Sequence, residues 1–351
     1  MTGSKKPISA YLNTYVMYIV LVLLVIAFTI GTGGNFLNPQ NLINIVNQNV
    51  YVLIVGVGIA FIMLGGAIDL STGFQISTIS VIMGMLAQRG VNAIVIIIAG
   101  IAAGVVLGAF NGAIYARLKV FPFIITLATQ YILNGVSFQL SNSKTLKDFN
   151  TIFTFLGKKA IPIGHYSFPV AIFVMIVIVG IGAFLLNKTY FGRNIYALGS
   201  NPDVVTLSGV SVEKMRILVF TVAGIFVALG SFMNAAKIGA VSSQSGVGSE
   251  FTVMAGAMLG GIKMGGGGGK INNMVVGVLI IGLLNNGMTL LNMSQNFKNI
   301  SLGFILLLAI TVDRLQTESA ERRAKQVAGK PPEQHAEQIE QHADEESKPE
   351  K

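Results

Sequence analysis

Ten uninterrupted apolar runs dominate the chain, at residues 15–30, 50–64, 74–88, 91–115, 121–140, 168–186, 217–233, 251–262, 274–291 and 300–312. A helix needs about 20 apolar residues to cross the hydrocarbon core of a bilayer. The runs are continuous, with no period-2 alternation, which favours helices over a transmembrane β-barrel. Some are short enough to tilt, break or re-enter. The expected fold is therefore an all-α polytopic membrane protein of about ten transmembrane helices, counted as eight to ten. Charge content agrees. Only 11% of the 351 residues are charged, against about 25% in a soluble domain, and the mean hydropathy is +0.69. Such a composition excludes a disordered chain, and the absence of cysteine excludes a disulfide scaffold.

The charges divide the chain further. Residues 317–351 hold six Lys/Arg and nine Asp/Glu, which leaves eighteen basic and six acidic groups, a net of +12, in residues 1–316. Three regions follow: a cytoplasmic N-terminus at 1–14, a transmembrane domain at 15–316 with a long cytoplasmic loop at about 187–216, and a charged tail at 317–351. The tail has almost no apolar content and is expected to be disordered beyond Pro331-Pro332, with 319–327 able to extend the last helix. Lys5-Lys6 precede the first run as in a signal peptide. However, Gly31-Thr32-Gly33-Gly34-Asn35 is a poor cleavage site, so the run reads as an uncleaved first span.

Orientation follows from the basic loop residues. Ten spans with the N-terminus inside place Lys5, Lys6, Arg117, Lys119, Lys188, Arg193, Lys214, Arg216, Lys263, Lys270 and Arg314 in the cytoplasm. Seven fall outside, four of them in the loop near 143–166. The bias supports the orientation modestly.

Little catalytic chemistry can be built from this inventory. Aligned on Lys270, the run Gly265-Gly266-Gly267-Gly268-Gly269-Lys270 places Met264 where a P-loop needs glycine and Ile271 where it needs a hydroxyl. It reads as a tight turn between two membrane helices. His165, His335 and His342 have no metal-ligand spacing, and no Ser/His/Asp set or carboxylate pair is apparent. No catalytic residue, metal site or cofactor is expected.

Three segments stand out. Asp69 lies in Gly65-Gly66-Ala67-Ile68-Asp69-Leu70-Ser71-Thr72-Gly73, which reads as a break between two helices. A lone aspartate at the membrane centre costs roughly 2.5–3.5 kcal/mol on insertion scales. Asp69 and Ser71 therefore read either as N-caps of the next helix at the cytoplasmic face or as groups lining a path or gate. Glu250 follows Ser249, a possible N-cap, and suits the positive end of a helix dipole. Its alternatives are a cap or a contact with the path or an external partner. In the loop near 187–216, Asn201 suits an N-cap, Pro202 the first helical position, Asp203 the dipole and Gly209 a C′ terminator. Those four encode a cytoplasmic helix of about two turns, marginal in water unless something holds it.

These segments resemble, in order, elements of the membrane-spanning permease subunits of bacterial ABC importers for sugars, the ribose/xylose/galactoside branch. Gly65 to Ser71 looks like the family's Gly-Gly-x-Asp-Leu-Ser element with one extra residue, and Phe121-Pro122-Phe123-Ile124-Ile125-Thr126-Leu127 like its Pro-Phe-Ile-x-Thr-Leu stretch. Tyr190-Phe191-Gly192-Arg193 through Leu207-Ser208-Gly209-Val210 is similar to its cytoplasmic loop. Gly248-Ser249-Glu250-Phe251 to Leu259-Gly260-Gly261 is similar to its late Gly-x-Glu and Gly-Gly element. The resemblance covers roughly 40–313. It departs at Ile262-Lys263-Met264 and the long glycine run, where the family often has a small hydroxyl residue, and in the charged tail.

What the resemblance implies is a permease that hydrolyses nothing itself. Two permease chains, identical or homologous, form the path in the bacterial inner membrane. A separate ABC ATPase holds ATP and Mg, and an extracytoplasmic sugar-binding protein delivers the substrate. No nucleic acid is involved. The helix after Pro202 would be the coupling helix, with coupling placed on Arg193, Asn201, Pro202, Asp203, Gly209 and Glu213. A neutral sugar asks for hydroxyl and amide groups along the path. Thr126, Thr129, Asn134, Asn285 and Asn286 join Asp69, Ser71 and Glu250 as candidates, although polar groups at helix–helix contacts are the commoner explanation. The competing expectation is an ion-coupled secondary transporter, which would need an intramembrane acid such as Asp69.

Overall fold

A computed structural model describes residues 21–118, 120–147, 149 and 151–328. The N-terminal region 1–14, the start of the first span, Lys119, Asp148 and the tail beyond 328 lie outside the described residues. Fourteen helices carry the described fold. In chain order they are α1 (Leu21–Gly31), α2 (Pro39–Gln48), α3 (Val50–Leu64), α4 (Thr72–Gln88), α5 (Ala93–Leu118), α6 (Pro122–Ser141), α7 (Thr151–Lys158), α8 (Val170–Lys188), α9 (Tyr190–Ser200), α10 (Pro202–Leu207), α11 (Val212–Ile238), α12 (Ser249–Leu259), α13 (Ile271–Leu290) and α14 (Gln295–Ala328).

Each of the ten apolar runs, as far as its residues are described, overlaps a helix: α1, α3–α6, α8 and α11–α14. Their lengths differ from a row of ten full crossings. Among the described residues six helices are long and apolar enough to span a bilayer: α5, α6, α8, α11, α13 and residues 295–315 of α14. The pair α2–α3, bent by 44°, passes the same test together, as a broken span or a re-entrant loop. Helix α4 has 17 residues and α12 only 11, about 26 and 17 Å at 1.5 Å per residue. An apolar run records that a segment avoids water; it does not record that the segment starts inside the bundle.

Helix α3 is apolar on every side, and all of its residues but Tyr51 are buried. A helix of that kind belongs at a centre, and α8, α11, α12 and α13 pack around it. Helices α5 and α11 pack most extensively. Gly104 and Gly224 allow this, because a Cβ on either would overlap the carbonyl oxygen of the other. The opposite side of α5 exposes Ile94, Val95, Ile98, Val106 and Phe110, as a lipid-facing surface should.

The bundle has two distinct ends. At one, β1 (Leu146–Lys147) pairs antiparallel with β4 (Ala240–Val241), and β2 (Ala160–Ile163) with β3 (Tyr166–Pro169). Lys237 donates to the Asn47 carbonyl there, at 2.8 Å. At the other end lie α9, α10 and the glycine run. There Met264 N–H reaches Asp313 Oδ2 at 3.4 Å, and Arg117 on α5 pairs with Glu213 on α11 at 3.6 Å.

Candidate functional site

The end carrying α9 and α10 is built from local rules. Thr189 caps α9 by accepting from Gly192 N–H (3.3 Å). Asn201 caps α10 by accepting from Asp203 N–H (2.9 Å), with Pro202 at the first helical position. Gly209 follows in the left-handed region (φ +79°). Its N–H donates to Thr206 O (3.0 Å) and that of Val210 to Val205 O (3.2 Å), the two bonds of a Schellman ending. The resulting helix has six residues, about 1.7 turns.

Val205 anchors α10 inward, while Val204 is 52% exposed, Leu207 87% and nearby Tyr190 80%. The Arg193 guanidinium stacks on Tyr190, 4.2 Å from the ring centroid. Glu213, in the first turn of α11, faces outward in its pair with Arg117. Together these groups form an apolar surface with charges at its edge. Tyr190, Val204 and Leu207 were not singled out from the sequence. Apolar residues spaced by three in a polar loop were the available signal.

Beneath this surface is the break between α3 and α4. Asp69 and Ser71 are buried there, 3% and 0% exposed. Asp69 Oδ1 accepts from the N–H and hydroxyl of Ser71 (2.8 and 2.5 Å), and Oδ2 accepts from Gln75 Nε2 (2.8 Å). Asn111 on α5 donates to Ser71 Oγ (2.9 Å) and accepts from Thr129 Oγ1 on α6 (2.7 Å). Thr126 Oγ1 accepts from Leu70 N–H (3.2 Å). Asp69, Ser71, Thr126 and Thr129 thus come together in one network with Gln75 and Asn111. Those last two were not anticipated. A lone amide within apolar α5, and a Gln four residues after Ser71, were the signals. Ser71 occupies the N-cap position of α4 but makes no cap bond; its hydroxyl serves Asp69 instead.

Glu250 stands apart. It is 1% exposed in the first turn of α12, and its Oε2 has no hydrogen-bond partner among the described residues. It fills the space that a side chain on Gly73 of α4 would need. Gly248, not Ser249, sits at the cap position, because the chain enters α12 with φ +83°. The starts of α4 and α12 therefore meet inside the bundle.

The remaining candidates are dispersed. Asn134 lies on α6, its Oδ1 buried without a hydrogen-bond partner among the described residues. Asn286 on α13 exchanges amide bonds with Asn41 on α2 (3.0 and 3.1 Å). Asn285 accepts from the Thr289 hydroxyl through its backbone carbonyl (2.7 Å). Neither of these last two reaches the Asp69 network.

A cavity of about 520 Å³ opens beside the break, lined by Gly66, Tyr115, Val120, Phe121, Pro122 and Arg216. The Arg216 guanidinium lies 4.6 Å over the Tyr115 ring. Thr126 Oγ1 is 3.0 Å from Pro122 O, so the Asp69 network begins one turn from the cavity wall. The cavity presents a planar cation and an aromatic face, and the hydroxyl and amide groups of the Asp69 network lie buried behind its wall.

The chain is similar to known transport proteins. Residues 41–310 match the family model described as "Branched-chain amino acid transport system / permease component". The ribose import permease protein of Escherichia coli (strain K12) is 33% identical over 301 residues, 84% of this chain and 92% of that protein. The galactose/methyl galactoside import permease protein of the same strain is 30% identical over 328 residues, covering 89% and 97%. The fructose import permease protein of Rhizobium meliloti is 33% identical over 302 residues, covering 84% of each. No solved structure gives a significant match.

Proposed function

The chain belongs to the family of transport-system permease components, and on that premise we propose that it is the permease subunit of an ATP-driven importer of a ribose-like monosaccharide. It sits in a bacterial inner membrane as a multi-pass protein, with α9 and α10 on the cytoplasmic side. A second permease chain completes the path. A separate ABC ATPase docks on α9–α10 through Arg193, Asn201, Pro202, Asp203, Gly209 and Glu213. An extracytoplasmic sugar-binding protein delivers the substrate to the opposite end. This chain carries no catalytic role and no cofactor; ATP and Mg belong to the ATPase.

The observation that carries this reading is α10, a short helix capped at both ends that holds Leu207 out at 87% exposure. A helix so short does not persist alone, and an apolar side chain held at a polar face suits a partner's groove. ATP-driven closure of the ATPases on this surface shifts the permease between inward- and outward-facing states through differential binding. The cavity beside Arg216 then serves as the inner mouth of the path, with Asp69, Ser71, Thr126, Thr129, Asn134 and Glu250 further in and Asn285 and Asn286 at a distance. The relatives named for ribose, galactose and fructose support a monosaccharide substrate.

A proton-coupled carrier is the reading that Glu250 Oε2, without a hydrogen-bond partner among the described residues, would favour. Proteoliposomes separate the two. With ATPase and binding protein present, ribose uptake is expected to require ATP and to ignore an imposed proton gradient. Uptake by this chain alone, driven by protons, would overturn the importer reading.

A further inference from the structure

Two loops from distant parts of the chain meet the last turn of α9 at bare backbone. A Cβ on Gly266 would lie 2.8 Å from the Cα atoms of both Gly66 and Gly199, and one on Gly199 would overlap the Leu64 carbonyl oxygen. A Cβ on Gly267 would overlap the Ser200 hydroxyl. Two hydrogen bonds close the contact: Gly267 N–H donates to Leu64 O (2.9 Å) and the Tyr196 hydroxyl donates to Gly269 O (2.7 Å). Burial raises the Tyr196 phenol above its usual range, so it stays a donor at neutral pH.

The position of this contact in the chain gives it consequence. Gly199 lies two residues before Asn201, the cap of α10. Gly66 lies three residues before Asp69, in the break that leads to α4. Gly266 to Gly269 follow α12, the helix that begins at Glu250. Both interrupted spans therefore reach the same point on α9. Where side chains mediate a contact, rotamers absorb small displacements. Backbone against backbone has no such slack, since packed interiors transmit strain.

We infer that this glycine joint carries motion of α9–α10 to the two interrupted spans together, with Tyr196 and Gly199 as its positioning residues. The inference rests on the importer reading above, because that reading supplies the motion. A displacement of α9 moves the Gly66 loop and the Gly266–Gly269 loop as one, so α4 and α12 shift as a pair where Gly73 meets Glu250. The fold also contains glycines without this role. Gly135 in α6 and Gly180 in α8 have no neighbour within 4 Å of an added Cβ.

The test uses the complete transporter, this chain with its ATPase and binding protein in proteoliposomes, with ribose as the probe. The readout is ribose taken up per ATP hydrolysed. Tyr196→Phe is expected to lower that ratio about fivefold, the worth of one neutral hydrogen bond, while the ATPase still co-purifies. Gly199→Ala should lower it about tenfold or more through the forced backbone shift, and Gly135→Ala should leave it unchanged. If Gly199→Ala does not assemble, Tyr196→Phe decides alone, since it removes one oxygen and adds no volume. An unchanged ratio in Tyr196→Phe overturns the joint. So does parallel loss of uptake and hydrolysis, or loss of the ATPase on purification, either of which makes Tyr196 a docking or folding residue. If the unsubstituted chain binds no ATPase, the importer reading fails, and that result is distinct from failure of the joint.

Discussion

Asp69 and Glu250 occupy matching places, each at the start of a short helix inside the bundle, yet they are supported in opposite ways. Asp69 takes three hydrogen bonds from Ser71 and Gln75, and its partners are held in turn by Asn111 and Thr129. Glu250 leaves Oε2 without a hydrogen-bond partner among the described residues and lies against Gly73. One break is stitched to α5 and α6 around its carboxylate; the other is tied to α4 through Gly246 N–H donating to Ser77 Oγ (3.0 Å), not through Glu250 Oε2. Two carboxylates with similar local sequence signals thus have different physical jobs. The difference comes from what distant helices bring to each.

Three substitutions probe that contrast, read as survival of monodisperse protein after heating in detergent. The largest loss is expected for Asp69→Ala. It removes the acceptor of the Ser71 N–H and hydroxyl and one of the two acceptors of Gln75 Nε2, which keeps Ser71 Oγ, and each orphaned buried donor costs about 1–3 kcal/mol. If Asp69→Ala melts with the unsubstituted protein, the network is not structural. Gly246→Ala comes next. Its Cβ would overlap the Gly73 carbonyl and crowd Ile76, an overpacking cost of about 1–3 kcal/mol. Retained stability there would show that the two breaks can move apart freely. Glu250→Gln should change stability least, by less than about 1 kcal/mol, because Oε2 gives up no hydrogen bond. A loss as large as that of Asp69→Ala would mean that the two acids are supported alike after all.

The same contrast marks what the sequence disclosed. Helix α10 was legible to the residue, since Asn201, Pro202, Asp203 and Gly209 act through neighbours a few positions away. Each apolar run yielded a helix among the described residues because the avoidance of water is also a local property. The shortness of α4 and α12 was legible in their runs, but where they start was not, since an apolar segment looks the same whether it starts at a membrane face or inside a bundle. Nor were Asn111 and Gln75, whose roles depend on α5 and α6 passing beside the Asp69 break. Helices α2 and α7 and the hairpin at 160–169 also went unread. They are short or amphipathic pieces at the bundle ends, where the patterns used for spans do not apply. The glycine run was read correctly as a turn between membrane helices, but its contact with Gly66 and Gly199 joins positions up to two hundred residues apart.

That contact also constrains how such a chain can drift. A side chain on Gly266 would claim the space of Gly66 and Gly199, and one on Gly199 would crowd Gly266 in return, while Gly66 holds a φ of +80° that itself favours glycine. Gly33, Gly90 and Gly164 have empty surroundings and answer only for their own turns. Across descendants of this sequence, the second group should vary singly, and the three at the joint should be kept together or replaced together.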